Sequence, residues 1–308
     1  GRMTATIAYL PTMLMPPLTP GPTHSIPDPA PDPRHVEGWL PIDVEFFDQS
    51  RAVIVGAHAV APVLDALCER HGGQWWLLNQ QPGWRVYLQD VPVTEVAVAL
   101  DRASRSGNAG SWTANLVAAQ KQTAPAQTSG VAGQARRRSQ VLGDLHCCDS
   151  RGVLDYLRDR PLLAPRHVAG ILTPVLCRAA GLGDASTADF VDRHWLHAAQ
   201  LDEPARARAQ GLTEMLGSLL RTPATRLLEL DSYGARWAAG VTHAGERMGK
   251  VGHAGFVSTR GEPTPEVVQH DLRSAVAAQW NRLGLSPTEQ VVLAVAIRNV
   301  LWTRRKKQ

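Results

Sequence analysis

Apolar and polar positions change rhythm repeatedly between residues 51 and 119, and the order of the rhythms predicts β-α-β-β-α-β. The continuous apolar run Arg51-Ala52-Val53-Ile54-Val55-Gly56 predicts a buried strand. Val60, Val63, Leu64 and Leu67 then recur at helical spacing, and Gly72-Gly73 closes that helix. Residues 74–79 and 84–90 predict two strands joined by Gln80-Gln81-Pro82-Gly83, a hairpin signal. Val93, Val96, Ala97 and Leu100 give a second helix, with Asp90 as its cap and Pro92 in its first turn, and Trp112 to Ala118 is the last strand. Such an order belongs to a ferredoxin-like sheet with two helices on one face.

Outside this segment the rhythm differs. Residues 11–41 hold ten of the 22 prolines and predict an extended, polyproline-like arm without ladder capacity. Residues 120–140 are rich in Gln, Ala, Thr, Ser and Gly, end in Arg136-Arg137-Arg138, and read as a linker. A helical region follows, in which Ser186-Thr187-Ala188-Asp189 resembles a capping box and Pro204 starts a helix that Thr222-Pro223 breaks. Between 225 and 260, Leu227, Leu228, Leu230, Trp237, Val241, Phe256 and Val257 predict short strands among abundant glycines. Thr264-Pro265-Glu266 opens a helix, and Ser286-Pro287-Thr288-Glu289 opens another, with Ser-x-x-Glu and Pro at the first helical position. The predicted fold class is therefore α+β. A proline-rich arm (1–40) leads to a ferredoxin-like βαββαβ domain (41–120). A linker (121–140) then joins a mostly helical domain (141–308) with a short glycine-rich β segment at 225–260 and a basic tail.

At 308 residues the chain has room for about two domains. Its 44% apolar content is that of an ordinary globular protein. No clean apolar run approaches the roughly 18 residues of a membrane helix, and the longest, Val291 to Ile297, suits a buried helix. Pro11, Pro16 and Pro17 interrupt the apolar N-terminal stretch, so a bacterial cytoplasmic protein without membrane partners is expected. Cys68, Cys147, Cys148 and Cys177 form no C-x-x-C, and Cys68 and Cys177 fall on core-facing helix patterns, which fits a reduced compartment. The formal charge is +4, and the cations are nearly all arginine, with lysine only at 121, 250, 306 and 307. A GC-rich genome accounts for that bias; the guanidinium fork also suits phosphate.

Candidate chemistry is sparse. In the third strand Trp84, Val86 and Leu88 face one way and Arg85 and Tyr87 the other. On an open sheet face, that ring beside a guanidinium would suit single-stranded nucleic acid. Such a face more often packs on a neighbouring domain. His194 and His197 stand one helical turn apart and His146-Cys147-Cys148-Asp149 groups three ligand types, but neither has the further ligand spacing of a metal site. No cofactor, metal or Gly-x-Ser-x-Gly nucleophile is implied. The stretch His243 to Gly255 carries glycines with Arg247 and Lys250, a composition that lets backbone amides approach an anion, although it is not a Walker loop. It resembles the glycine-rich loop of CRISPR RNA-processing endonucleases, which contain ferredoxin-like modules and cleave RNA without a metal. The resemblance implies acid–base roles for His243 or His253.

The function expected from sequence is nucleic-acid binding, to RNA or DNA, inside a larger complex that the proline-rich arm helps assemble. Arg85 and Tyr87 would touch bases, while Arg136, Arg137, Arg138, Arg247, Lys250, Arg304, Arg305, Lys306 and Lys307 would neutralise phosphates. Two alternatives stand beside it: a non-catalytic assembly subunit anchored by some of its nine tryptophans, and a metal-independent RNA endonuclease. The leading reading requires the scattered cations to converge on one track.

Overall fold

A computed structural model describes residues 39–48, 52–80, 83–106, 112–116, 129–158, 162–196, 201–222, 234–255 and 265–305. Over these the chain is mixed α+β, mostly helical, with one small antiparallel sheet.

The first strand, β1 (Leu40–Phe46), lies where the proline-rich arm was expected to end. It alternates cleanly: Ile42, Val44 and Phe46 are buried, while Asp43 and Glu45 point away from that core. Pro41 is tolerated in this central strand because it precedes the first pair of β1 with β4, Ile42 with Leu116. The run predicted as the first strand is instead the start of α1 (Ala52–His71), whose residues Gly56–Val60 form a π-helical turn. A short run of β-branched residues does not separate strand from helix by itself. Here Val53 and Ile54 are exposed, and the buried stripe is Ala57, Val60, Ala61, Leu64, Leu67 and Cys68, which repeats at helical spacing. Gly56 lets the helix close on the Trp84 ring, and Gly72, at φ +67°, ends it. By length and composition alone α1 is apolar enough to cross a membrane, and its buried stripe packs in the core of the sheet.

Strands β2 (Gln74–Gln80) and β3 (Gly83–Gln89) follow as predicted, then α2 (Val93–Ser106) and β4 (Trp112–Leu116). The spatial order is β2-β3-β1-β4, antiparallel throughout. One face, with Ile42, Val44, Trp75, Leu77, Val86 and Leu88, shares a core with Leu64 of α1 and with Val96 and Leu100 of α2.

The expected linker is helical from residue 129 onward, as part of α3 (Ser129–Arg158). Residues 117–128 lie outside the described residues. Then come α4 (Pro165–Ala179), α5 (Asp184–Leu196, with a π-helical turn over Asp192–Leu196) and α6 (Glu203–Leu219). The last three helices are α7 (Gly234–Gly255), α8 (Pro265–Arg282) and α9 (Pro287–Arg305). Two local signals held: Pro204 lies in the first turn of α6, which Asp202 caps by accepting from the Ala205 amide, and Ser286 and Glu289 form a reciprocal capping box before α9. One did not. Helix α5 begins at Asp184, after Gly183, so Ser186 sits inside it.

The glycine-rich β segment is corrected to helix α7 over residues 234–255; the predicted strand positions at 225–233 and 256–260 lie outside the described residues. The glycines serve close helix packing. A Cβ at Gly245 would stand 2.7 Å from the Ala179 Cβ, one at Gly249 would stand 3.0 Å from the Ala180 carbonyl, and one at Gly240 would overlap the Cys148 sulfur. Intrinsic propensity disfavours glycine in a helix by about 1 kcal/mol each, but here α7 buries Trp237, Val241 and Met248 in a large core shared with α3, α4 and α9.

Candidate functional site

Three polar places stand out. The first is the seam between the sheet and the helices. Strand β2 is an edge strand, and an unpaired edge must be covered or satisfied. Side chains of α3 and α8 do both. The Leu77 amide donates to the Ser150 hydroxyl at 3.1 Å, and the Leu77 carbonyl accepts from Nε of Arg282 at 2.6 Å. The Asn281 amide copies a neighbouring strand: its Oδ1 accepts from the Asn79 amide at 2.8 Å and its Nδ2 donates to the Asn79 carbonyl at 3.0 Å.

Behind this edge lies Asp149 of α3. It accepts from Nε1 of Trp237 (2.9 Å), Nε2 of Gln279 (2.8 Å) and Nη1 of Arg282 (2.7 Å). The Arg282 and Asp149 side chains are 0% and 2% exposed, so the pair is fully buried. Arg282 also covers the Trp76 ring at 5.5 Å. That ring stacks on Tyr87 at 3.9 Å and 12°, and meets the His146 imidazole at 4.6 Å. Burial first, and Arg282 second, hold the His146 ring well below the usual histidine range, so it is neutral at pH 7. Nδ1 of His146, Nε1 of Trp76, Oε1 of Gln279 and Nη2 of Arg282 are buried without a hydrogen-bond partner among the described residues.

The second place is the π-helical turn that ends α5. His194 there packs edge-on against Phe190 and Trp195. Its Nε2 is buried without a partner among the described residues. Burial, then Arg273, Arg193 and His270, push its titration down to about 4, so it is an unprotonated acceptor at neutral pH. Single π-turns inside helices recur at functional sites.

The third place is a cleft of about 810 Å³ between α4, α6 and α9, with Ile171, Val175 and Val300 among its apolar walls. Arg178, Arg221 and Arg304 line it, against Asp184.

These places largely bypass the residues expected from sequence. Arg85 forks Asp43 of β1, through Nε at 2.7 Å and Nη2 at 2.9 Å. Tyr87 is buried rather than open to a ligand, because α3 and α8 pack over its sheet face; burial pushes its phenol up to about 12. Arg138 forks Asp271 of α8 at 3.0 and 2.7 Å, and Arg247 donates to Asp144 at 2.5 Å. Arg304 donates to the Leu220 carbonyl at 2.5 Å and stands 3.9 Å from Asp184. Arg136, Arg137, Lys250 and His243 are exposed on α3 and α7. The side chains of Arg305 and His253, and all of His197, Lys306 and Lys307, lie outside the described residues. Among the described cations, the expected convergence does not occur: four of them sit at separate carboxylates. Burial also raises Cys147 to about 12 and Cys148 to about 11, so neither supplies a thiolate. No group of three His, Cys, Asp or Glu side chains that could hold a metal occurs among the described residues.

No family model matches the sequence, and no curated protein matches it. Solved structures do share its fold. The tRNA-dependent lantibiotic dehydratase MibB from Microbispora sp. 107891 is similar at TM-score 0.60 and 15% identity, over 94% of this chain and 29% of that one. This chain thus spans under a third of the dehydratase's length. TsrL is similar at TM-score 0.54 and 14% identity, over 87% of this chain and 95% of its own. The pyridine synthase TbtD, from thiomuracin biosynthesis, is similar at 0.52 and 13%, over 88% of this chain and all of its own.

These neighbours overturn the nucleic-acid-binding expectation, in agreement with the paired arginines and the covered Tyr87. The two alternatives fall with it. The assembly-subunit reading is not what these neighbours point to. The loop that carried the endonuclease resemblance is a helix packed through its glycines.

Proposed function

We propose that this chain is a peptide-modifying enzyme of the elimination type, and that its sheet is a ferredoxin-like module beginning at Leu40. The observation that carries the activity is the fold likeness, which extends over 87–94% of the chain to structures that include a dehydratase and a pyridine synthase. A dehydratase removes water to leave a double bond, and an aromatic pyridine forms only when leaving groups are expelled from the closing ring. Both reactions need a proton taken from carbon and a leaving group released. Because the chain corresponds to 29% of the dehydratase but to the whole of the pyridine synthase, the proposal concerns an elimination step rather than a complete dehydration.

Within that reading His194 is the proton acceptor. Its Nε2 has no hydrogen-bond partner among the described residues, burial keeps the ring unprotonated at neutral pH, and it sits on the π-turn that ends α5. The test is incubation with peptides whose serine hydroxyl already carries an acyl leaving group, followed by intact-mass analysis and thiol trapping of the new alkenes. A product lighter by that carboxylic acid is expected from the wild type and not from His194→Gln. Unchanged masses across all peptides would sink the activity. Full product from His194→Gln would remove only the residue's role.

A further inference from the structure

In the cleft between α4, α6 and α9 cationic side chains outnumber carboxylates around an enclosed, partly apolar space. Four other arginines each meet a carboxylate of their own: Arg85 with Asp43, Arg138 with Asp271, Arg247 with Asp144, Arg298 with Asp192. In the cleft three guanidinium groups face a single lining carboxylate, Asp184. Arg178 donates to its Oδ1 at 2.9 Å, and Arg304 reaches its Oδ2 only at 3.9 Å. Among the described residues Arg221 meets no carboxylate; its Nη2 donates to the Ser218 hydroxyl at 3.1 Å. The Arg178 side chain remains 59% exposed, so much of its fork faces solvent.

The walls limit what the surplus charge can hold. Thr213 and Thr303 spend their hydroxyl protons on the carbonyls of Ala209 and Asn299, which leaves oxygen lone pairs toward the cleft. Ile171, Val175 and Val300 are apolar. A cleft of about 810 Å³ suits a ligand of several residues rather than a lone ion. Arginine forks match carboxylates in a bidentate manner.

We propose that this cleft binds a peptide segment that alternates acidic and aliphatic side chains, with glutamate or aspartate carboxylates on Arg178 and Arg221 and aliphatic groups against Ile171 and Val300. The choice of a peptide rests on the peptide-modifying reading above; the preference for carboxylates rests on the cleft alone. Asp184 tempers the site by occupying part of the Arg178 fork.

The probe is a fluorescein-labelled short peptide alternating glutamate and leucine, with a glutamine-and-leucine peptide as control, read by fluorescence anisotropy on the full chain at low salt. The glutamate peptide should bind and the glutamine peptide should not. The double variant Arg178→Gln/Arg221→Gln should weaken binding about tenfold, the effect of roughly one charge-assisted hydrogen bond. Asp184→Asn should tighten it, because it releases the Arg178 fork. The pair Arg136→Gln/Arg137→Gln, exposed but outside the cleft, should leave it unchanged. Circular dichroism confirms that each variant is folded. Equal binding of the glutamine peptide, equal loss in the Arg136/Arg137 variant, or competition by inorganic phosphate as strong as by free glutamate peptide would overturn the proposal. The assay needs no turnover, so elimination activity measured separately stands or falls independently of it.

Discussion

The seam along β2 and the cleft beside Arg178 use the same residue type in opposite ways. At the seam, Arg282 is fully buried, and Asp149, the Leu77 carbonyl and the Trp76 ring occupy it from three sides. At the cleft, Arg178 and Arg221 stand largely in water with unused donors. The first is committed to holding two bodies together, and the second is available. A buried ion pair contributes little net stability when intact, yet losing one partner is costly because the other charge is left stranded. An exposed arginine has neither property. Location, rather than residue count, decides which arginines bear on function.

Breaking the buried pair should therefore have the largest effect. Arg282→Ala is expected to cost about 3–5 kcal/mol, since Asp149 and the Leu77 carbonyl both lose their cation. Urea denaturation followed by tryptophan fluorescence checks this. A loss under about 1 kcal/mol would mean that the seam is hydrated and that the contrast with the cleft is false. The double variant Asp149→Leu/Arg282→Met sharpens the point. It should recover much of the loss, because apolar replacement of both partners removes the stranded charge.

Next in size is the strand edge. Asn281→Ala removes both bonds that satisfy the Asn79 backbone and should cost about 1–3 kcal/mol. Hydrogen exchange separates this from a general loosening: protection at the β2 amides should fall while that of α9, whose Leu293 and Ile297 are fully buried, is retained.

Acid should also distinguish the two regions. His146 at the seam and His194 at the π-turn both have folded titration points below the ordinary 6.5, about 4 in the case of His194. The unfolded chain takes up those protons first. Their contribution to stability is thus complete above about pH 6.5 and is lost as pH falls toward the folded values. His146→Phe should flatten the acid limb of a stability-against-pH curve, whereas Arg178→Gln should leave it unchanged. A histidine ring signal at position 146 that titrates near 6.5 by NMR would contradict the burial on which this rests.

Much of the sheet was legible from sequence because its signals are local. Gly72 closes α1, Gln80 pairs with Gly83 where β2 gives way to β3, and Val96 and Leu100 mark α2. The first strand was misplaced because Val53-Ile54-Val55 is more strand-like in composition than the proline-adjacent Leu40–Phe46. Only pairing with β3 and β4 reveals the latter. Helix α7 was hidden for a related reason. Glycine spacing reads as turns until the partner surfaces at Ala179 and Cys148 are in place. The candidate sites were less visible still. Asp149 meets Gln279 and Arg282 across some 130 positions, and nothing in either segment announces the other. One trace was present, in the polar Gln279, Asn281 and Arg282 that flank the buried Trp280 within α8. The cleft left no trace, because Arg178 comes from α4, Arg221 from the turn after α6 and Arg304 from α9.

The smallest expected effect bears most directly on the comparison. Arg178→Gln/Arg221→Gln should change stability by no more than about 0.5 kcal/mol, as for surface substitutions that break no buried contact. The Arg178 bond to Asp184 is half exposed, and among the described residues Arg221 pairs only with Ser218 one turn back. A side chain retained without structural benefit is free to serve a ligand, so a near-zero cost in the urea curve combined with a clear loss of acidic-peptide binding would mark the cleft as a recognition surface. A cost as large as that of Asn281→Ala would instead show that these arginines brace α4 and α6 against α9, and the distinction between committed and available arginines would no longer hold.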